Sequence, residues 1–238
     1  MMSPIWNEGF AQVSKSLWDA DISNTRVLNH TRGRWFSHVV YVCQWPVSSA
    51  LQALNHTIAI DPGIRNFVTA FASDGVCHSF RCFQLKSGAA WETLRDTLHA
   101  YIIKLLVCSY RRIYLPPTFM PWTPACPQPE LHTIQTYMAA SYALFRERLC
   151  AAASNTGCSV LAADELFSSQ TCSRCGLINR CGTSTVFKCA SCGMVSHRDV
   201  NASKNILVSN FSRGVVNSSS FAAAGKYPPL PRAESHVH

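Results

Sequence analysis

The fold of this chain is decided by residues 168–203, SSQTCSRCGLINRCGTSTVFKCASCGMVSHRDVNAS. This stretch holds two Cys-x-x-Cys pairs, Cys172/Cys175 and Cys189/Cys192, with residues 176–188 between them. Such spacing is typical of a zinc site built from four thiolates, and buried thiols or disulfides explain it poorly. Four thiolates leave no coordination position for water or substrate, so we expect this zinc ion to be structural.

Length, charge and hydrophobicity limit what the rest of the chain can be. The 238 residues are enough for one core and a small appended unit. A formal net charge of +8 is compatible with a phosphate-bearing partner, although a slightly basic surface would give the same value. The sequence has neither a secretory signal nor a run of about 20 apolar residues, so we expect an intracellular protein without a membrane span.

The remaining cysteines show no metal-binding spacing, and several lie inside apolar runs. A reducing compartment would keep them as thiols, and we expect them to be small buried side chains: Cys43, Cys77, Cys82, Cys108, Cys126, Cys150, Cys158 and Cys181.

Hydrophobic periodicity predicts an α/β fold. We expect strands at residues 34–44, 56–61, 66–73, 76–84, 112–115 and 158–164, and helices at 89–108, 131–149 and 200–207. Asp74-Gly75 between two apolar runs indicates a β-hairpin. Antiparallel strands followed by alternating helices and strands are the layout of an RNase H-like mixed sheet flanked by helices, here with the cysteine ribbon inserted.

Three carboxylates stand at the ends of predicted elements. Asp61 ends the strand in IAIDPG, Glu165 follows the strand in SVLAADE, and Asp199 opens the last helix. Residues at such ends can converge at one edge of a sheet. Mg²⁺ prefers a few carboxylates together with substrate phosphate, and two such ions about 4 Å apart would promote phosphodiester hydrolysis.

Each of these residues also has a simpler interpretation. Asp61 before Pro-Gly is typical of a turn, Glu165 of a solvated strand end, and Asp199 of a helix N-cap. Their combination with the cysteine ribbon favours metal binding. Basic side chains on and beside the ribbon either contact phosphates or form a solvated surface: Arg174, Arg180, Lys188, Arg198 and Lys204.

These motifs resemble those of TnpB and Fanzor proteins, which are transposon-encoded, RNA-guided nucleases. IAIDPGIRNF resembles their first RuvC motif, and HRDVNASKNIL resembles the third. SSQTCSRCG with FKCASCG resembles the zinc ribbon that binds target nucleic acid in these families. The similarity extends from about residue 33 to residue 207, and motif order and spacing both agree.

The resemblance implies a RuvC nuclease domain in which Asp61, Glu165 and Asp199 are catalytic and hold Mg²⁺. It also implies a structural Zn²⁺ on the ribbon, DNA and guide RNA as partners, a nuclear location and no small-molecule cofactor. TnpB usually carries its second carboxylate at the end of the strand that here reads RRIYLPPTF, where Pro116 stands. Glu165, just before the ribbon, matches the Fanzor placement instead.

The motifs divide the chain into five expected parts. These are a poorly patterned N-terminal remnant (1–33), the RuvC core (34–167), the ribbon (168–196), the last motif with its helix (197–208) and a disordered tail (209–238). The family has a longer N-terminal module, so we expect a truncated DNA endonuclease. The alternatives are a catalytically silent nucleic-acid-binding remnant and a gene fragment of such a nuclease.

Overall fold

The computed structural model describes residues 26–32, 36–42, 56–82, 89–117, 129–180 and 184–214. Their elements are β1 (Arg26–Arg32), β2 (Phe36–Val42), β3 (Thr57–Pro62), β4 (Val68–Ala72), β5 (Val76–Cys82), α1 (Ala89–Ser109), β6 (Arg112–Leu115), α2 (Pro129–Thr156), β7 (Ser159–Ala162), β8 (Val186–Lys188), β9 (Val195–His197) and α3 (Arg198–Gly214).

Among the strands that the structure describes, seven form one mixed sheet in the order β1-β2-β5-β4-β3-β6-β7. The first five in this order pair antiparallel, and β6 and β7 add in parallel beside β3. The predicted hairpin is confirmed, because Gly75 supplies a φ of 88° and Asp74 Oδ1 accepts the Val76 N–H at 2.9 Å. The structure therefore confirms the predicted α/β, RNase H-like fold class.

Helices cover both faces of the central strands. Because side chains alternate along a strand, Ile58 and Ile60 of β3 pack into the core beneath α1 and α2. Ala59, between them, packs instead with Ile206 and Leu207 of α3. This alternation explains why nearly all of β3 is buried, and it puts Asp61 on the α3 side of the sheet, like Ala59.

The N-terminal boundary differs from the prediction. β1 lies within the segment expected to be a poorly patterned remnant, and it pairs antiparallel with β2 from Arg26↔Val42 to Arg32↔Ser37. Its sequence, RVLNHTR, lacks the apolar alternation that marks a half-buried strand. An edge strand needs little apolar surface, so periodicity did not reveal it. Residues 1–25 lie outside the described ranges.

The C-terminal boundary differs as well. α3 continues to Gly214, beyond the predicted helix end at 207 and into the segment expected to be a disordered tail. Ser209 and Asn210 are buried in its final turns. Residues 215–238 lie outside the part of the chain that the structure describes.

The scattered cysteines only partly follow the prediction that they are buried. Cys77 is buried, Cys150 and Cys158 are half-buried, and Cys108 is exposed on α1. The side chains of the other predicted members, Cys43, Cys82, Cys126 and Cys181, lie outside the described part. Among the helices described, none is long and apolar enough to cross a membrane.

Candidate metal sites and their surroundings

The four ribbon cysteines converge as their spacing predicts. Their Sγ atoms all lie within 4.8 Å of one another. The Cys172–Cys192 and Cys175–Cys189 sulfur distances are both 3.6 Å. A tetrahedral zinc with Zn–S bonds near 2.3 Å would separate its sulfurs by about 3.8 Å. The donor set and its spacing therefore fit one zinc ion.

Two similar backbone turns build this cluster. The Gly176 N–H donates to the Cys172 carbonyl at 2.8 Å, and the Gly193 N–H donates to the Cys189 carbonyl at 3.1 Å. Both glycines adopt positive φ, 74° and 71°, which L side chains rarely reach. This requirement explains why a glycine follows each Cys-x-x-Cys pair.

Asn179 links the two turns. Its Oδ1 accepts the Ala190 N–H at 2.9 Å, and its Nδ2 lies 3.6 Å from Cys189 Sγ. Burial raises the pKa of the Cys175 thiol to about 11 and also raises that of Cys172. At Cys189, burial is outweighed by hydrogen bonds from the Cys192 and Ser191 N–H groups and from neighbouring thiols, and the pKa falls to about 7. A bound cation would favour the thiolate form of all four cysteines. The amide contact and the burial both suit a metal centre.

The structure also brings the three predicted carboxylates to one region. Asp61 is the second-last residue of β3, Glu165 follows β7, and Asp199 lies in the first turn of α3. The pKa of Asp61 is raised well above its ordinary value by burial, then by the charges of Asp199 and Glu165, while Arg198 opposes the rise. Burial and the neighbouring Asp164 raise the pKa of Glu165 to about 7.

The three carboxylates lie in one region, but their oxygen atoms do not surround a single point. Among the described residues, only the four cysteines have ligand atoms that all lie within 4.8 Å of one another. Hard cations such as Mg²⁺ keep several waters and substrate oxygens as ligands. The wider spacing of the carboxylates therefore suits a hydrated divalent cation better than a closed protein cage.

Three asparagines on α3 fasten the segment that carries Glu165. Asn210 Oδ1 accepts the Asp164 N–H at 2.8 Å, and its Nδ2 donates to the Asp164 carbonyl at 2.9 Å. Asn205 Nδ2 donates to the Ser168 and Thr171 carbonyls at 2.8 and 2.7 Å. Asn201, the third asparagine, binds backbone groups in the first turn of the ribbon.

Sequence reasoning missed these asparagines. All three are buried, although asparagine is a poor helix former and usually favours caps and turns. That mismatch between residue type and helical position was the only available signal. Their role is to satisfy backbone groups of a segment that forms neither helix nor strand.

We expect Asn210→Ala to lower the free energy of unfolding by about 1–3 kcal/mol, because it leaves the Asp164 N–H and carbonyl without their partner in a partly buried place. Urea unfolding followed by circular dichroism measures this change. Asn155→Ala, at an exposed position of α2, is the matched control and should stay within about 0.5 kcal/mol of wild type. Equal midpoints for the two variants would contradict the fastening role.

The predicted phosphate-contacting side chains fall into two groups. Arg174, Arg180 and Lys188 are exposed on the ribbon, and Arg198 is half-buried beside Asp61. Lys204 corrects the prediction, because it is only 3% exposed and its Nζ lies 5.0 Å from the centroid of the Phe71 ring. A lysine held between helix and sheet in this way does not present its charge to a surface ligand.

The end of β6 is occupied by contacts from α2. The fully buried Tyr142 hydroxyl donates to the Pro116 carbonyl at 2.9 Å, and Arg146 donates to the Pro117 carbonyl. The neighbouring charges of Glu165 and Asp61 add to burial in raising the pKa of Tyr142. Pro116 therefore lies close to the region that holds Asp61 and Glu165.

Several known proteins are similar to parts of this chain. The model of the Cas12f1-like TNB domain matches residues 142–206. A mimivirus protein (Acanthamoeba polyphaga mimivirus) named as a candidate transposase is 38% identical over 110 residues, 46% of this chain and 23% of the relative. A TnpB-like protein of the same virus is 42% identical over 67 residues, 28% of this chain and 13% of the relative.

Two further likenesses are more distant. The CRISPR-associated endodeoxyribonuclease Cas12f1 of Sulfoacidibacillus thermotolerans is 33% identical over 81 residues, 33% of this chain and 19% of the relative. The RuvC structure of Thermus thermophilus aligns with 69% of this chain and 98% of its own, at 12% identity. Its TM-score is 0.35, which is too low to bear on the fold.

The matched segments span less than a quarter of each curated relative. The match to the domain model nevertheless falls on the ribbon and the last motif. The domain model covers the second half of α2, β7, the four-cysteine ribbon and the start of α3, in that order. Over these segments, the motifs, the domain model and the relatives make this chain similar to proteins of the TnpB family.

Proposed function

We propose that this chain is a transposon-derived nuclease that hydrolyses DNA phosphodiesters, with Asp61, Glu165 and Asp199 holding Mg²⁺. The observation that carries this proposal is electrostatic. Carboxylates from three distant parts of the sequence lie near enough for the charges of two of them to raise the pKa of the third. All three are half-buried, and proteins rarely gather like charges in partly desolvated places without a cation to balance them.

The residues of this chain would bind and orient the cation. Bound Mg²⁺ supplies the chemistry, in that it activates a water and stabilises the leaving oxygen of a phosphodiester. Arg198 lowers the pKa of Asp61 and so favours its ionised, metal-binding form. The asparagines of α3 hold the segment of Glu165 against the helix that carries Asp199.

The ribbon would supply nucleic-acid binding. Its exposed cations, Arg174, Arg180 and Lys188, suit contacts with phosphate oxygens, which position a duplex or strand without reading its sequence. Structural zinc would hold these cations in place. The proposal also includes a Fanzor-like role for Glu165, guide RNA as a partner and a nuclear location. These three points rest on the resemblance of the motifs.

Cleavage of labelled single-stranded DNA by the zinc-loaded protein in Mg²⁺ or Mn²⁺ tests the proposal. We expect Asp61→Ala and the isosteric Asp61→Asn to lower the cleavage rate by more than about 100-fold, because even residues that only support a metal ligand contribute 10- to 100-fold. Glu147→Gln, which neutralises an exposed carboxylate on α2, is the control and should cleave like wild type.

Two results would oppose catalysis by this site. Cleavage that persists in both Asp61 variants would come from elsewhere or from a contaminant. A folded wild-type chain that binds the DNA as tightly as Asp61→Ala, and never cuts it, would instead indicate a nucleic-acid-binding protein without nuclease activity.

A further inference from the structure

A hydrogen bond joins the first and last motifs across the candidate site. Asn66 Nδ2 lies 2.8 Å from Asp199 Oδ2, although the two residues are far apart in sequence. A carboxylate only accepts hydrogen bonds, so the amide group of Asn66 must be the donor. Asn66 belongs to the loop that follows β3, which ends one residue after Asp61. The same short segment therefore contains the candidate ligand Asp61 and a residue that contacts the candidate ligand Asp199.

This loop is built tightly. The Gly63 N–H approaches the Phe67 carbonyl at 3.3 Å, and the Phe67 N–H donates to the Phe80 carbonyl at 2.8 Å. The Phe67 ring is 3% exposed and lies 5.1 Å from the His99 ring and 5.5 Å from the Phe145 ring, centroid to centroid. The end of the loop is therefore anchored in the core.

Gly63 sets the position of Asn66 within the loop. A Cβ atom added to Gly63 would lie 2.8 Å from the Asn66 carbonyl oxygen, which is closer than real Cβ atoms approach. Any side chain at position 63 would therefore displace the backbone of Asn66. The close approach explains the glycine and links it to the geometry of Asp199.

The two close polar contacts of the Asp199 side chain, among the residues described, fall on the same oxygen. Asn66 donates to Oδ2, and His197 Nδ1 lies 3.9 Å from that oxygen. Neither contact involves Oδ1. An amide that occupies one carboxylate oxygen fixes the side-chain rotation and so determines where the second oxygen lies.

We propose that Asn66 is a positioning residue that orients Asp199, so that Oδ1 serves the divalent cation shared with Asp61 and Glu165. The inference rests on the proposed metal site and adds to it a residue outside the three carboxylates. Gly63 supports this role, because the absence of a side chain there lets Asn66 approach Asp199 on α3.

Mn²⁺ binding by the zinc-loaded chain without DNA, followed by electron paramagnetic resonance, tests this role separately from cleavage. We expect Asn66→Leu, which keeps the branching of the side chain and removes the donor, to weaken Mn²⁺ binding about 10- to 100-fold. Gly63→Ala should weaken binding in the same direction. Asn155→Ala, at an exposed helical position, should bind Mn²⁺ like wild type. Zinc content and melting temperature are measured for every variant.

The possible failures are distinguishable. Asn66→Leu that binds Mn²⁺ as tightly as wild type, while Asp199→Ala does not bind it, would overturn the positioning role and leave the metal site standing. Wild-type protein that binds Mn²⁺ no better than Asp61→Ala would overturn the metal site and the positioning role together. If Gly63→Ala fails to fold, Asn66→Leu alone decides the outcome. A drop in melting temperature with unchanged Mn²⁺ affinity would assign Asn66 a structural role only.

Discussion

The chain is expected to bind one zinc ion per molecule and to lose the ribbon fold when that ion is lost. Few side chains hold the ribbon together without metal. Its buried cluster contains Phe187 and Met194 beside the cysteines, and its hairpin strands have three residues each. Structural zinc contributes about 10–16 kcal/mol of apparent binding free energy in small zinc domains, and in such domains this is folding free energy.

Cys192→Ser is the sharpest test, because it removes one thiolate and keeps nearly the same side-chain volume. We expect the variant to contain less than one zinc ion per chain by mass spectrometry. Amide hydrogen exchange across residues 171–197 should approach that of an unfolded segment. Cys108→Ser, which alters an exposed cysteine of α1, should keep its zinc and its protection.

Unfolding after zinc loss should be confined to the ribbon and the first turn of α3. Asn201 accepts the Ser173 N–H at 3.0 Å and donates to the Thr171 carbonyl at 2.7 Å. Loss of the ribbon would therefore free the first turn of α3, which carries Asp199, while the amides of β3 and β4 stay protected in the core. Full protection of the ribbon in metal-free protein would show that zinc is not needed for its fold.

The features that sequence predicted correctly are those with local causes. The cysteine cluster follows from coordination chemistry and two short spacings, and the hairpin at Asp74-Gly75 follows from one glycine at positive φ. That Asp61 and Glu165 act at one site stays a prediction; it rests on the parallel course of β3, β6 and β7, which brings both residues to the same edge of the sheet. None of these inferences required knowledge of side-chain packing.

The features that sequence did not predict depend on tertiary placement. β1 is an edge strand whose residues show no alternation, so only its partner β2 defines it. Lys204 looks like a surface cation until α3 is placed on the sheet, where its neighbour is Phe71. Asn66 and Asn210 bond to groups far away in sequence, and a single sequence contains no sign of such pairings.

Acid is expected to destabilise the sheet through three buried histidines. His38 Nε2 lies 3.0 Å from His78 Nδ1. The other ring nitrogen of His38 lies 3.1 Å from the Tyr101 hydroxyl, and that of His78 lies 2.8 Å from the Tyr110 hydroxyl, so the four side chains form a hydrogen-bond chain. A neutral imidazole has one donor and one acceptor nitrogen, so every hydrogen bond in this series can form when both rings are neutral. If both rings were protonated, two N–H groups would face each other between them.

Burial lowers the pKa of all three histidines, and in His38 the charge of His78 adds to the effect. The pKa values fall from 6.5 to about 4 in His38 and His78 and to about 3 in His99, where Arg148 and Arg95 contribute after burial. The unfolded chain binds protons below pH 6.5 that the folded chain does not. Stability is therefore complete above pH 6.5, falls between pH 6.5 and about 4, and changes little further below the folded pKa values.

At pH 5 the loss should be about 2 kcal/mol for each histidine, and about 6 kcal/mol for three independent sites. That sum is comparable with the whole stability of many domains, about 5–15 kcal/mol. Urea unfolding at pH 7.5 and pH 5.0 measures it. Zinc release and the raised pKa values of Asp61 and Glu165 also respond to pH, so the decisive quantity is the difference between wild type and a histidine variant.

His78→Gln removes one titrating group and keeps a hydrogen-bonding side chain. It should be less stable than wild type at pH 7.5, yet it should lose about 2 kcal/mol less on going to pH 5.0. His56→Asn is the control, because His56 is exposed and asparagine tolerates its positive φ of 54°; its pH dependence should match that of wild type. If His78→Gln lost as much stability as wild type, the buried histidines would not be the source of acid sensitivity.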